Sequence, residues 1–532
     1  MKESNLKSLP KDGLAGLVEN LTSDLSSGFI VFLLALPLSL GIAKASEFPP
    51  VTGLITAIVG GMLAGPMAGS KLTIKGPAAG LIVIIAGAVG EFGGGEQGWL
   101  LTLGAIVVAG FIQILFGVFK MGKLSDFFPL SAVHGMLAAI GMIIILKQIP
   151  VLLDVDPALA KGKGPFELLL SMPLFLSKID WRATAIGLVS LAIMLFWQKV
   201  PGTYLKKIPA SLVVLFFAIP AELLMDFQHT EPPYALVHVG NLMESARLHF
   251  EFSGLPQFPL VFIKYVVMIA LVGSLESLLT VKAIDMMDPY RRRSDTNKDL
   301  VAVGLGNMVS GLLGGLPMIS EVARSSANVS NGAKTRWANF FHGFFILLFV
   351  ILAVPLIELI PNTALAAMLI SVGIKLAHPR EFAHIFNIGK EQLAIFLVTI
   401  LFTLYEDLLV GIGAGMLLKI IFHLFNGAPL GSLFKADVVV SAIGKDYLVE
   451  IEKSAVFTNF LGLKSKLEAI PQGMDVTLDF SRTRLVDHSV IENVHHFEHG
   501  YISNGGSFRV TGLENHKKLS NHEKAARKST FE

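Results

Sequence analysis

From Asp24 to Phe425 the chain alternates apolar runs, each near the length of a bilayer crossing, with short polar joints. The runs lie near 24–43, 51–68, 73–89, 98–119, 130–150, 183–199, 208–225, 258–283, 297–316, 320–332, 337–359, 362–377, 391–405 and 408–425. This pattern predicts 14 spans, of which the third and tenth are too short or too interrupted to cross as ordinary helices. Residues 1–23 are polar and read as a segment outside the membrane. Beyond Asn426 the period changes. VVVSAI, DYLVEIE, MDVTLDF and SFRVTGL read as strands, LGLKSKLEAI and SVIENVHHFEHGY as amphipathic helices. A small α/β domain is predicted over 435–515, with 516–532 a solvated, partly disordered helical tail.

Composition agrees with a polytopic helical membrane protein: 53% hydrophobic and 16% charged residues, with mean hydropathy +0.64. A net charge of +2 argues against nucleic acid as a partner, and the lack of cysteine excludes disulfides and thiolate metal sites. No Ser/His/Asp set, Walker loop or dinucleotide fingerprint occurs, so the chain reads as no enzyme and implies no cofactor or metal. Lys2, Lys7, Lys11, Lys120, Lys123, Lys199, Lys206, Lys207, Arg291, Arg292, Arg293, Lys334, Arg336, Lys375, Arg380 and Lys390 fall on one side of the predicted spans. By the positive-inside rule that side is the cytoplasm, and an even span count returns the C-terminus there.

The two halves share signals. GGMLAGPMAGS at Gly60–Ser70 is matched by SGLLGGLPMIS at Ser310–Ser320, each leading into an interrupted segment. Seven spans per half is odd, so the second half inserts upside down, and paired broken segments point to a binding site at the bilayer midplane. The segment Gly311–Arg336 places Glu321 and Arg324 at membrane depth, where an ionisable residue is a functional-site hypothesis by default. Pro317 and Met318 read as an extended entry, and Ser320 to about Ser330 as a half-length helix. Its first backbone N–H groups, at Val322 and Ala323, together with Arg324 form a candidate anion site. From the third span, Gly76 and Ala78 offer N–H groups, and Lys75 offers a second cation. Glu276, with Thr280 one turn on, is a candidate coupling site for a proton or Na⁺, and Glu321 is a further one. The plainer readings are a structural Arg324–Glu321 pair, a snorkelling Lys75 and a permanent Glu276–Arg324 pair. His134 reads as interfacial, Arg291–Arg293 as a topology signal, and His488, His495, His496 and His499 as a solvated face.

DLSSGFIVFLLALPLSLGIA in the first span, IKGP in the third, GSLESLLT in the eighth, and Arg324 ten residues before the Lys of NGAKTR together resemble the sulfate permease (SulP) family of anion transporters. The resemblance implies seven-plus-seven inverted repeats, divided into a core domain (spans one to four and eight to eleven) and a gate domain (spans five to seven and twelve to fourteen). It implies substrate between the facing half-helices of spans three and ten, and an elevator motion of core against gate. It carries Arg324 to the family's substrate-site arginine and Glu276 to its acidic coupling residue. Related Na⁺-using bicarbonate carriers have Asp where Glu276 stands, which favours H⁺. Lys75 and Glu321 depart from the small or hydroxyl residues common there. VTLDFSRTRLVDHSVIENV resembles a STAS domain, with Ser489 at the position phosphorylated in soluble relatives and Val490 in place of the usual Gly. Family members dimerise partly through this domain, so a homodimer is implied.

The reading is therefore a secondary active, elevator-type transporter in the cytoplasmic membrane. It moves a small inorganic oxyanion, sulfate or bicarbonate, with H⁺ or Na⁺. The alternatives are an uncoupled exchanger or channel-like carrier, a nucleobase permease of the same architecture, or a membrane-tethered sensor.

Overall fold

Helices follow the apolar runs. The computed structural model describes residues 9–202, 208–227, 236–237, 246–503 and 505–530. Lys2, Lys7, Lys206, Lys207 and the side chain of His499 lie outside the described residues. The principal membrane-region helices are α1 (Gly13–Ala45), α2 (Pro50–Val59), α3 (Ile82–Glu91), α4 (Gly95–Val118), α5 (Leu130–Leu152), α6 (Trp181–Phe196) and α7 (Ala210–Met225). They continue with α8 (Pro259–Met287), α9 (Thr296–Leu312), α10 (Val322–Ser330), α11 (Trp337–Leu352), α12 (Asn362–Leu376), α13 (Lys390–Tyr405) and α14 (Leu408–Phe425). Among the described residues, 7 helices are long and apolar enough to cross a membrane, and Ala79–Glu91, Ala210–Met225 and Trp337–Leu352 are shorter apolar helices.

Two of the boundaries that differ from the sequence reading have a local cause. The first helix begins at Gly13 inside the segment read as a polar lead, because Asp12 caps it by accepting from Gly13 N. A hydropathy threshold passes over such an amphipathic first stretch. The ninth helix stops at Leu312, short of the predicted 316, where Gly314 turns the chain with φ +82° ahead of Pro317.

The chain divides into two compact units, Met1–Gly122 with Ile140–Leu376, and Lys123–Ala139 with Ala377–Glu532. In the first unit, glycines let helix backbones meet. A Cβ on Gly110 of α4 would lie 2.7 Å from the Gly304 carbonyl oxygen of α9, and one on Gly28 of α1 the same distance from the Ala338 carbonyl oxygen of α11. Two short strands, β1 (Ile74–Pro77) and β2 (Met318–Glu321), pair antiparallel and open the two broken segments.

The second unit holds α13, α14 and a sheet of β3 (Asp437–Ile443), β4 (Asp446–Ala455), β5 (Asp475–Asp479), β6 (Thr483–Val486), β7 (Ser507–Thr511), β8 (His516–Lys518) and β9 (Arg527–Ser529). The order is β7-β5-β4-β6-β9-β8, with β3 on β4. The β4–β5, β4–β6 and β5–β7 pairs are parallel, so helices connect them: α15 (Phe460–Glu468) and α16 (His488–Ser503). Their apolar faces bury Phe460, Leu463 and Val490 against Val449, Ile451 and Leu478. The α/β domain is as predicted, with β6 added. The tail is not a disordered helix, because β8 and β9 extend the sheet beyond 515. HKK, on the edge strand β8, carries the lysines that protect an edge, and with RKS of β9 beside it the composition reads as solvent-exposed coil.

Candidate functional site

A strand at membrane depth must find partners for its backbone without water. Here the broken segments partner each other: Ile74 faces Glu321, Lys75 faces Ser320, Gly76 faces Ile319 and Pro77 faces Met318. Polar side chains from neighbouring helices serve the groups this ladder leaves over. Thr56 Oγ1 accepts from Leu316 N at 2.8 Å, Asn307 Oδ1 from Met318 N at 2.6 Å, and Ser277 Oγ from Ser320 N at 3.2 Å. Ser325 Oγ accepts from Ile74 N at 2.9 Å, and Asn339 Oδ1 from Lys75 N at 3.3 Å. The irregular backbone is thus held by α2, α8, α9, α10 and α11.

The tenth segment runs as expected, from an extended entry into a half-length helix. Glu321 is the N-cap of α10, and its carboxylate accepts from Arg324 N at 2.7 Å, so one of the free N–H groups is already occupied. Val322 and Ala323 are exposed, whereas Arg324 is 1% exposed. Among the described residues, no hydrogen bond reaches Nε, Nη1 or Nη2 of Arg324. The nearest carboxylate oxygen, Glu321 Oε2, is 3.9 Å from Nε, a loose pair. A guanidinium with unfilled donors in a buried place is costly unless a guest completes it. The other broken segment approaches it through Gly76, where a Cβ would fall 2.4 Å from Nη1.

Glu276 lies on α8, 7% exposed, with Oε1 unpartnered among the described residues. Its carboxylate covers Gly80 at the start of the helical part of the third segment, where a Cβ would fall 2.0 Å from Oε1. No ion pair joins Glu276 to Arg324 among the described residues, so the permanent-pair reading does not hold for it. Thr280, one turn on, is buried beside it on α8. Ala78, 2% exposed, lies between Gly76 and the 3₁₀ turn Ala79–Leu81.

Lys75 stands apart from the sequence reading of a second cation for the anion. It is fully buried, and its ammonium donates to Asp299 Oδ1 at 2.9 Å and to Thr73. Asp299, at the start of α9, looks in sequence like an ordinary polar residue of a helix's first turn. Asn307, Thr56 and Asn339 also lie outside the sequence-based site, and isolated polar residues in apolar runs are the signal that marks them.

Elsewhere, His134 is partly exposed, with Nδ1 3.4 Å from a Glu381 carboxylate oxygen. Arg292 pairs with Asp288 at 2.7 Å and donates to the Lys334 carbonyl at 2.8 Å. His495 and His496 are solvated and lie beside Glu498 and Glu492. His488 is not on the solvated face, because its Nδ1 meets the Lys524 carbonyl at 2.6 Å in a buried position. Ser489 is 1% exposed, with Oγ accepting from Lys419 Nζ at 3.3 Å and from Leu130 N at 3.4 Å. Lys419 of α14 also pairs with Asp487 at 2.7 Å, both 1% exposed. Burial opposes the charge on Asp487, yet Lys419 and His423 hold its carboxyl far below the usual carboxylate range.

A family model described as the sulfate permease family matches residues 21–399. YvdB of Bacillus subtilis is 28% identical over 422 residues, covering 76% of this chain and 74% of that protein. The bicarbonate transporter BicA of Picosynechococcus is 27% identical over 415 residues, 75% of this chain and 69% of its own. The solved transmembrane domain of a cyanobacterial BicA superposes with TM-score 0.63 at 22% identity, over 74% of this chain and 97% of that one. The murine anion transporter Slc26a9, in an inward-facing state, superposes with TM-score 0.68 at 14% identity, over 92% and 85%. The fold is that of these transporters, and the relatives are carriers, not enzymes. With its family model matched over residues 21–399, this polytopic membrane chain belongs to the sulfate permease family of anion transporters.

Proposed function

We propose that the protein is a secondary active transporter of a small inorganic oxyanion, sulfate or bicarbonate, across the cytoplasmic membrane, with both termini in the cytoplasm. The observation that carries this reading is the buried Arg324 guanidinium with its side-chain donors unfilled, beside the meeting strands of two broken segments. The anion completes those donors and takes N–H groups from Ala78, Val322 and Ala323, while Gly76, whose N–H is committed to the ladder opposite Ile319, allows the close approach to Arg324. Glu276, with Thr280 beside it, binds the coupling proton or Na⁺, and Glu321 responds to occupancy because it caps the helix that carries Arg324. Gly80 brings that carboxylate against the third segment, so loading Glu276 changes the field at the anion. Transport proceeds by elevator motion of the core against the gate, in a homodimer. Support comes from the family match and from relatives that carry bicarbonate.

The test is uptake of labelled sulfate and bicarbonate into proteoliposomes under imposed pH and Na⁺ gradients. Accumulation driven by one gradient supports the reading. Uptake of neither anion, or uptake indifferent to both gradients, contradicts it.

A further inference from the structure

Taking the anion-site reading above as its basis, the count of fixed charges around the two strands goes further than the general class of substrate. Lys75 and Asp299 are 0% and 1% exposed and 2.9 Å apart. An ion pair so enclosed acts as a neutral unit, because either charge alone there is strongly disfavoured. Asp299 does more than cancel a charge. Its Oδ1 also accepts from Ser70 N at 3.1 Å, and its Oδ2 from Ser320 Oγ at 3.1 Å. Lys75 and Ser320 face each other across the ladder, so a single carboxylate from α9 holds both strands by their side chains.

With Lys75 neutralised, Arg324 is the one cation among the described residues whose Nε, Nη1 and Nη2 are all buried and unfilled. Arg336, close enough to act on Lys75, is itself held by Asp12 at 3.0 Å and by the Pro66 carbonyl at 3.0 Å, and the charges beside Arg324 are negative. Glu321 Oε2 lies 3.9 Å from Arg324 Nε, and Glu276 covers Gly80. A dianion entering this place leaves its second charge desolvated and uncompensated, with carboxylates on two sides.

We propose that Asp299 is a built-in counter-ion to Lys75 that also positions the two strands, and that it restricts the site to a small singly charged oxyanion, excluding dianions such as sulfate.

Binding of bicarbonate and of sulfate to the purified full-length chain, measured by calorimetry at equal ionic strength, tests this in the wild type, in Arg324→Ala and in the double variant Lys75→Met/Asp299→Asn. The wild type is expected to bind bicarbonate at least about tenfold more tightly than sulfate. The double variant keeps that ratio within about threefold, since it removes a neutral pair. Sulfate bound as tightly as bicarbonate by the wild type overturns the proposal, as does a bicarbonate-to-sulfate ratio shifted by about tenfold or more in a folded double variant. If the double variant does not fold, the wild-type ratio alone decides. Arg324→Ala separates the two levels: loss of both anions leaves the site in place whatever the ratio, whereas unchanged binding removes the site itself.

Discussion

Gly76 lies under the guanidinium of Arg324, so closely that a Cβ would come within 2.4 Å of Nη1. The atom it would strike is the far end of a flexible side chain, so Gly76→Ala displaces the guanidinium and leaves the backbone ladder in place. We expect anion affinity to fall by about tenfold or more, roughly 1.4 kcal/mol, with little change in melting temperature. Calorimetric titration beside a thermal melt checks this, and unaltered affinity in a folded Gly76→Ala protein contradicts the contact.

The same reasoning applies to Gly80 and Glu276. A methyl at Gly80 collides with both carboxylate oxygens, at 2.0 and 2.4 Å. Gly80→Ala therefore moves the carboxylate without removing its charge, and Glu276→Gln removes the charge with little change in shape. Both are expected to weaken the dependence of uptake on the coupling gradient by about tenfold while anion exchange persists. Gradient-driven and exchange uptake measured in parallel proteoliposomes distinguish the two effects. Full gradient dependence in Glu276→Gln rules out the coupling role.

In the second unit, Asp487 pairs with Lys419 in a fully enclosed setting, with His423 Nε2 3.7 Å away. Asp487→Ala leaves an unpaired buried ammonium and is expected to destabilise that unit by about 3–5 kcal/mol. Because the folded carboxyl is held below its ordinary value of 3.8, its contribution is fully present above that value and is lost only as pH falls further. Acidification from pH 7 to 5 therefore leaves this pair intact. Melting curves of wild type and Asp487→Ala across that range should stay separated by a constant interval, and an interval that closes by pH 5 contradicts the assignment.

Ser489 accepts from Lys419 and is buried beside Asp487. A phosphoryl group there adds a charge of about −2 next to an existing carboxylate. Ser489→Glu is expected to destabilise the second unit by about 2–4 kcal/mol, read as a lower melting temperature. Ser489→Ala should fall well short of that. Equal melting temperatures for wild type and Ser489→Glu would show that the hydroxyl is not enclosed in solution.

Much of this arrangement was legible in the chain. Gly-Gly, Pro317 and a buried-depth Arg324 inside an apolar run announced the tenth segment, and IKGP announced the third, because broken backbone in lipid needs a reason. The four-residue strands joining them were not legible, since they are too short to show a period of two. The Lys75–Asp299 pair spans 224 residues, and no local pattern connects such partners. Asp24 is similar: its carboxylate accepts from Lys334 N at 2.8 Å and Thr335 N at 3.1 Å, joining two motifs that the sequence presents separately. The tail reads as solvated coil in sequence because the short lysine-bearing strands β8 and β9 share that composition.

Anion binding by Arg324→Ala tests the central claim most directly. Measured by calorimetry on purified, folded protein with bicarbonate and sulfate as titrants, the variant is expected to lose binding by about a hundredfold or more, with the melting temperature kept within a few degrees. Affinity equal to wild type in a folded Arg324→Ala protein would place the substrate elsewhere and contradict the account.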